Sequence, residues 1–145
     1  MRSSGAYVLI VHLPAPVTLR VGSLGPRSFK EGHYLYCGSA QAGLMSRLAR
    51  HMRVDKRRHW HIDHLTCHGG TVGALAFEGR KETECLLAST LAAVPGVLPA
   101  VQGFGSSDCG CLTHLFLVKD GVPLSIVLDF LRSSFSERPR GGQSI

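Results

Sequence analysis

Four side chains suited to chemistry on a phosphate ester occur early in the chain: Tyr7, Tyr36, Arg47 and His51. Hydrolysis of a phosphodiester needs a base that takes a proton from water and a fixed cation that holds the phosphate. It also needs a metal ion that stabilises the developing charge, and a carboxylate to hold that ion. Glu84 is the candidate carboxylate, because it falls in the first turns of a predicted helix, and Glu82 is the alternative.

Three predicted strands would position the two tyrosines. Residues 5–12, GAYVLIVH, are apolar and β-branched, which is typical of a buried strand. Residues 17–21 predict a second strand, hairpinned to the first, and residues 33–38 predict a third strand after a loop at residues 25–32. Three short strands in close succession indicate an antiparallel meander.

The alternation of residues in the third strand separates polar from apolar side chains. Tyr34 and Tyr36 share one face of this strand, and Leu35 and Cys37 point to the other face. The tyrosines could be packing residues of the sheet, which is the usual role of an isolated tyrosine in a strand. They could also form the wall of a polar site.

A helix is expected directly after the third strand, because apolar residues recur at helical spacing at positions 44, 45, 48 and 52. Arg47, Arg50 and His51 fall on its remaining face, at i, i+3 and i+4. If the strands pair and this helix packs beside them, two phenols, a guanidinium and an imidazole converge on one place.

The rest of the chain predicts a strand at residues 71–79, a helix at 81–94, a strand at 112–118 and an amphipathic helix from residue 123. In that last helix Ile126, Val127 and Phe130 are expected to share the apolar face. The fold class is therefore α+β, a small antiparallel or mixed sheet flanked by helices. One domain is expected over residues 1–132, followed by a flexible tail at 133–145.

The chain has 145 residues and a formal net charge of +6, so an anionic partner such as nucleic acid is expected. No apolar run is long enough to cross a bilayer. The first residues lack the cleavage site of a signal peptide, which indicates a cytoplasmic protein without a membrane partner.

An ordered set of motifs resembles the GIY-YIG nuclease superfamily. The motifs are Gly5-Ala6-Tyr7, Tyr36-Cys37-Gly38, the segment RLARH at residues 47–51 and the later Glu84. Within that superfamily the chain most resembles a group of small stand-alone proteins long carried as a domain of unknown function. The segments HWHIDHL, ECLLA and GFGSSDCGCLTHLF are similar to signatures of that group.

The resemblance implies a metal-dependent DNA endonuclease that leaves 5′-phosphate and 3′-hydroxyl ends. Tyr36 matches the general base, Tyr7 the second tyrosine of the site and Arg47 the phosphate-binding arginine. Glu84 matches the sole protein ligand of a Mg²⁺ or Mn²⁺ ion, and His51 a residue that helps to activate the nucleophile. The absence of a separate domain for recognising DNA sequence favours cleavage that depends on DNA structure or on a lesion, as in DNA repair.

One position departs from the superfamily pattern. Ser39 stands where some relatives have a lysine, so Tyr36 lacks a positive charge that would lower its pKa. A phenol with an unperturbed pKa near 10 is a poor base at neutral pH. His51 or the metal ion must then supply the activation.

A basic run follows the third strand. Six arginines and lysines lie between residues 47 and 58. They could form a solvated surface, or a patch that binds phosphates beside the active site without reading sequence. The residues expected to contact DNA are Ser39, Arg50, Arg53, Lys56, Arg57 and Arg58.

Two further clusters contain metal-binding residue types. In HWHIDHL, the side chains of His59, His61, Asp63 and His64 could be metal ligands. The preferred interpretation is that one histidine, His61, faces the active centre, with Asp63 orienting it or a neighbour. Asp108, Cys109, Cys111 and His114 resemble a metal-binding hairpin, and Cys85 or Cys67 could complete a tetrahedral set for a structural Zn²⁺. The alternative is that these cysteines pack as small apolar residues.

Other functions also fit the sequence. The chain could be a nucleic-acid-binding module without catalytic activity, or an endonuclease that acts on RNA. The sequence is compatible with either a monomer or a homodimer.

Overall fold

The computed structural model describes residues 4–106 and 109–136. It contains a five-stranded antiparallel sheet with helices on both faces, and a separate two-stranded sheet. The predicted α+β class is therefore confirmed.

The strands are β1 (Gly5–Leu13), β2 (Val17–Arg20), β3 (Pro26–Phe29), β4 (Gly32–Ala40), β5 (Gly70–Glu78), β6 (Val97–Pro99) and β7 (Leu115–Val118). The helices are α1 (Leu44–Met52), α2 (His61–Thr66), α3 (Glu82–Ala92) and α4 (Leu124–Ser136), with one 3₁₀ turn at Gly22–Leu24. The large sheet has the order β5-β1-β4-β7-β6, so β1 and β4 lie near its middle.

The pairing of β1 with β4 brings the two tyrosines of the motifs onto one face. Tyr7 lies opposite Gly38, and Leu9 lies opposite Tyr36. Because side chains alternate between faces, Tyr7 and Tyr36 point to the same side of the sheet. The division predicted within β4 is confirmed, since Tyr34 and Tyr36 pack in one core and Leu35 in the other.

Each face of the sheet carries its own apolar core. The first core lies under α1 and α2, where Leu48 and Leu65 cover odd-numbered residues of β1 such as Leu9. The second lies under α3 and α4, where Leu87 and Val127 are fully buried. The helices that carry the candidate site residues, α1 and α3, therefore lie on opposite faces of the sheet.

The predicted hairpin between the first two strands is wrong. β2 pairs antiparallel with β3, in the small sheet, and β1 pairs directly with β4. The segment predicted as a loop at residues 25–32 contains β3, which supplies the partner of β2. β1 pairs with β4 over nine residue pairs on one edge and with β5 on the other edge, so neither edge of β1 is free for β2.

Two predictions for the last helix also need correction. Val127 is fully buried, but Ile126 and Phe130 are 61% and 46% exposed. The buried positions are Val127 and Leu131, one turn apart, because α4 contacts the sheet along that stripe. The helix continues through residue 136, beyond the predicted domain end at 132, and the rest of the predicted tail lies outside the described residues.

None of the helices in the described part of the chain combines the length and the apolar character that a bilayer span requires.

Candidate active site

Tyr7 and His51 form a buried pair on the face of the sheet that α1 covers. The Tyr7 hydroxyl lies 2.8 Å from His51 Nε2. Burial lowers the pKa of His51 to about 4, with a further contribution from the Lys56 charge. Burial raises the pKa of Tyr7 to about 12, against the opposing effect of the Arg47 charge. At neutral pH the pair is a phenol and a neutral imidazole, and the imidazole can accept a proton.

Arg47 reaches from α1 to the end of β4. Its Nη1 donates to the Ser39 carbonyl oxygen at 2.9 Å, and its guanidinium carbon lies 4.5 Å from the centre of the Trp60 ring. These contacts fix the guanidinium while the side chain stays partly exposed. A fixed and accessible guanidinium is suited to binding a phosphate group.

Ser39 connects this arginine to Glu84 at the start of α3. The Ser39 hydroxyl donates to Glu84 Oε1 at 2.6 Å, while its carbonyl oxygen accepts from Arg47. Burial raises the pKa of Glu84, but the contacts with His114 and Ser39 outweigh burial and lower it below its ordinary value. Glu84 is therefore ionised at neutral pH. The sequence indicated a DNA contact for Ser39, but not this contact with the carboxylate.

Tyr36 lies on the same face as Tyr7 and keeps 7% of its surface exposed. A Cβ atom at Gly105 would lie 2.8 Å from the Tyr36 ring, so the loop backbone covers this tyrosine closely. Burial, and then the charges of Tyr7 and Glu84, raise the pKa of Tyr36 well above its ordinary value. The ring centre of His51 lies 6.4 Å from that of Tyr36, whereas its hydrogen bond joins it to Tyr7.

His61 contacts the loop that covers Tyr36. Its Nδ1 accepts a hydrogen bond from the Gly105 backbone N–H at 2.9 Å, and its ring lies 5.6 Å from that of Phe104. Phe104 in turn packs edge-on against Tyr36. The side chain of His61 thus supports the wall of the site through the segment 103–106.

Asp63 does not orient a histidine side chain, although the sequence suggested that role. Its carboxylate accepts from the Arg50 guanidinium at 2.9 and 3.0 Å. It also accepts from the backbone N–H groups of His59 and Trp60 at 2.7 and 2.9 Å. Burial raises the pKa of Asp63, but these hydrogen bonds outweigh burial and lower it to about 2. Asp63 stabilises the start of α2.

The basic run is divided between internal and exposed side chains. Arg50 is paired with Asp63, and Lys56 Nζ donates to the carbonyl oxygens of Arg50 and His51 at 3.3 and 3.1 Å. The polar atoms of these two predicted DNA ligands are therefore engaged within the fold. The exposed side chains of the run are Arg53, Arg57 and Arg58.

His114 and three cysteines surround a point next to Glu84. His114 Nδ1 lies 2.9 Å from Glu84 Oε2, and its other nitrogen, Nε2, lies 3.5 Å from Cys109 Sγ. Together with Cys85 and Cys111, the four donor atoms lie within 4.8 Å of one another. The chain therefore contains a candidate metal-binding cluster. Of the two cysteines that the sequence left open as a fourth ligand, Cys85 belongs to it, and Asp108 lies outside the described residues.

A cavity of about 230 Å³ lies over this region. Glu84 and His114 line it together with Cys85, Cys109 and Gly105, and Lys81 and Glu82 complete its wall. The carboxylate that the sequence assigned to a metal ion therefore faces open space, and Glu82, the alternative, lies at the exposed edge of the same cavity.

Sequence reasoning missed two contacts of Glu84, because both join residues that are far apart in the chain. His114 precedes β7, and the pairing of β7 with β4 brings it beside α3. One clue was present in the sequence. Glu84 and Cys85 are adjacent, so the helix turn that carries them would place the carboxylate beside any metal cluster that contains Cys85.

The sequence profile of one protein family matches residues 6–134, a span that includes every site residue described above. That family is described as Domain of unknown function DUF123. The chain belongs to the DUF123 family. No curated protein and no solved structure matches the DUF123 chain.

Proposed function

We propose that this protein is a metal-dependent endonuclease of the GIY-YIG type that hydrolyses phosphodiester bonds in DNA. The observation that carries the proposal is the double contact of Ser39, which accepts from Arg47 and donates to Glu84. A guanidinium suited to a phosphate and a carboxylate suited to a divalent cation therefore meet at one residue. Ser39 lies opposite Ala6 in the sheet, so its side chain points to the face of α3, whereas Tyr7 and Tyr36 point to the face of α1. The proposed site therefore spans the two faces at the end of β4, where the charge of Glu84 still raises the pKa of both tyrosines.

In the proposed reaction, a water oxygen attacks phosphorus and the bond to the 3′-oxygen breaks. The products carry 5′-phosphate and 3′-hydroxyl ends, and the leaving oxygen takes up a proton from solvent. Arg47 binds the nonbridging oxygens and stabilises the charge that develops on them.

A tyrosine takes the proton of the attacking water. The motif resemblance gives this role to Tyr36, whose raised pKa makes the phenolate scarce at neutral pH. Burial also raises the pKa of Tyr7, to about 12, but Tyr7 differs from Tyr36 in having an acceptor for its own proton, because its hydroxyl lies 2.8 Å from His51 Nε2. We therefore assign proton removal to Tyr7 and His51, with Tyr36 positioning the water.

The surroundings of Glu84 fit a hard cation. Its carboxylate is ionised, lines the cavity, and has one partner on each oxygen, so a second lone pair on each oxygen remains free. Mg²⁺ and Mn²⁺ bind through one or two carboxylates and keep several waters. Such an ion would stabilise the charge on the leaving oxygen.

The test is a cleavage assay on end-labelled mismatched, branched, flapped and abasic DNA, with Mg²⁺ or Mn²⁺ present. Each of the single substitutions Tyr7→Phe, Arg47→Ala and Glu84→Ala is expected to lower the cleavage rate at least about 100-fold. Tyr34→Phe is the matched control, because Tyr34 shares the face of Tyr36 but donates to the Lys30 carbonyl oxygen, away from the site. Equal rates for Tyr7→Phe and Tyr34→Phe would exclude the proposed proton path.

The same assay distinguishes the alternatives. A binding module without activity would leave every DNA intact and would retain its affinity after Glu84→Ala. An RNA endonuclease would cleave a matched RNA panel and leave the DNA panel uncut.

A further inference from the structure

The cluster of Cys85, Cys109, Cys111 and His114 has the dimensions of a tetrahedral metal site. With Zn–S and Zn–N bonds of about 2.3 and 2.1 Å, the ligand atoms of a zinc tetrahedron lie about 3.6 to 3.8 Å apart. His114 Nε2 lies 3.5 Å from Cys109 Sγ and 3.9 Å from Cys85 Sγ. All four donor atoms fall within 4.8 Å of one another, so small side-chain movements would complete the tetrahedron.

The donor set selects the metal. Three thiols and one imidazole are the ligands of structural zinc sites, whereas Mg²⁺ and Ca²⁺ require oxygen ligands. All five cysteines of the chain are free thiols, so none of the cluster is consumed by a disulfide. This set is chemically distinct from the oxygen ligand that Glu84 would offer to a catalytic cation.

Glu84 contacts the nitrogen of His114 that faces away from the thiols. His114 Nδ1 lies 2.9 Å from Glu84 Oε2, and Nε2 faces the sulfur atoms. A carboxylate in this position fixes the tautomer of a metal-bound histidine and orients its ring. We propose that Cys85, Cys109, Cys111 and His114 bind one zinc ion, and that Glu84 is the carboxylate that positions His114 for it.

The zinc ion would join parts of the molecule that carry the candidate active site. Cys85 is on α3, beside Glu84, and the other three ligands lie in the segment between Gly105 and β7. Gly105 covers Tyr36. Zinc would therefore hold the loop against Tyr36 and fix the carboxylate in one orientation. The metal site itself does not depend on the nuclease proposal, and only this consequence for catalysis rests on it.

The first test measures the metal in the full chain without DNA. Protein purified in reducing, chelator-free buffer is expected to contain one zinc ion per chain, as measured by inductively coupled plasma mass spectrometry. After removal of zinc, titration with Co²⁺ is expected to give the strong visible absorption of tetrahedral cobalt with thiolate ligands. A chain without zinc, or cobalt absorption of the weak octahedral type, would overturn the site.

The second test uses variants with a matched control. Cys111→Ser is expected to lose the zinc, and Cys67→Ser, which changes a half-buried cysteine outside the cluster, is expected to keep it. Equal zinc contents in the two variants would contradict the assignment. The wild-type cobalt spectrum decides the matter if Cys111→Ser does not fold.

The role of Glu84 is tested by zinc affinity, which is read without cleavage. Glu84→Ala is expected to weaken zinc binding about 10- to 100-fold at unchanged stoichiometry. Glu84→Gln keeps an acceptor oxygen and should recover part of the loss. Unchanged affinity in Glu84→Ala would reject the positioning role alone. If Glu84→Ala loses cleavage but keeps a normal zinc content, the result bears on the catalytic proposal and not on the zinc site.

Discussion

Tyr7 and His51 lose their contact with water on folding, and this loss shifts the pKa values of the two groups in opposite directions. The phenol becomes harder to ionise, with a pKa of about 12, and the imidazole harder to protonate, with a pKa of about 4. His51 Nδ1 is buried and has no hydrogen-bond partner among the described residues. A proton added to His51 in the free protein would therefore be poorly stabilised, so the proton transfer proposed for Tyr7 requires the negative charge of a bound phosphate nearby.

This burial predicts acid sensitivity of the fold. Between pH 6.5, the ordinary pKa of histidine, and about 4, the unfolded chain binds a proton at His51 that the folded chain does not. The free energy of unfolding should fall as the pH falls through this window, by on the order of 3 kcal/mol. Urea unfolding at several pH values measures it.

The matched variants for this prediction are His51→Gln and His68→Gln. Glutamine at position 51 can still contact Tyr7 but does not titrate, so the pH dependence should flatten. His68 is exposed, and its replacement should leave the dependence as in the wild type. Parallel pH curves for all three proteins would show that His51 is not responsible.

Gly105 gives a second prediction at the residue scale. It has a φ of +70°, and a Cβ atom there would lie 2.8 Å from the Tyr36 ring. Gly105→Ala should cost about 1 to 3 kcal/mol and displace Tyr36, with loss of the proposed cleavage. Gly121 has a φ of +84° with open space around it, so Gly121→Ala measures the cost of the left-handed backbone conformation without a steric clash. Urea unfolding of both variants should show the larger loss for Gly105→Ala.

At the scale of elements, the short helix α2 depends on one carboxylate. Asp63 is fully buried and accepts from two backbone N–H groups at the start of the helix. It also accepts from Arg50, whose guanidinium lies 4.5 Å from the Trp60 ring centre. A helix of six residues has little stability of its own, so these contacts hold it against the sheet.

Removal of this carboxylate should destabilise the protein strongly. Asp63→Ala breaks a buried ion pair and leaves two backbone donors without a partner, at an expected cost of about 3 to 5 kcal/mol. Asp129→Ala is the control, because Asp129 forms an exposed pair with Arg132 and should cost less than about 1 kcal/mol. Equal losses in the free energy of unfolding would contradict the role of Asp63.

At the scale of the whole molecule, the exposed charges of the basic run lie on the segment that joins α1 to α2. Each guanidinium that contacts a phosphate releases counterions, so if the protein binds DNA as proposed, its affinity should fall as salt rises. Replacing Arg57 and Arg58 with glutamine should reduce the slope of log affinity against log salt by about 2. Arg132→Gln, on α4 of the opposite face, should leave the slope unchanged, and an equal effect would argue against this surface.

Local patterns predicted most of the elements, because the period of apolar residues is a property of neighbouring positions. The two faces of β4 and the helix at Leu44–Met52 were predicted in this way. The pairing of β2 was predicted wrongly, because the alternation of residues within a strand does not indicate which other strand it pairs with. In α4 the pattern allowed several apolar stripes, and contact with the sheet selected the one through Val127.

For the site, the residue types of Tyr7, Tyr36, Arg47 and Glu84 by themselves determined which chemistry could be expected, because phenols, guanidinium and carboxylate keep their properties wherever they lie. The tertiary structure alone decided which groups touch. It joined His51 to Tyr7, Ser39 to Glu84, and Cys85 to His114 across 44, 45 and 29 positions of the chain. Such contacts arise from strand register and helix packing, and these depend on the whole fold.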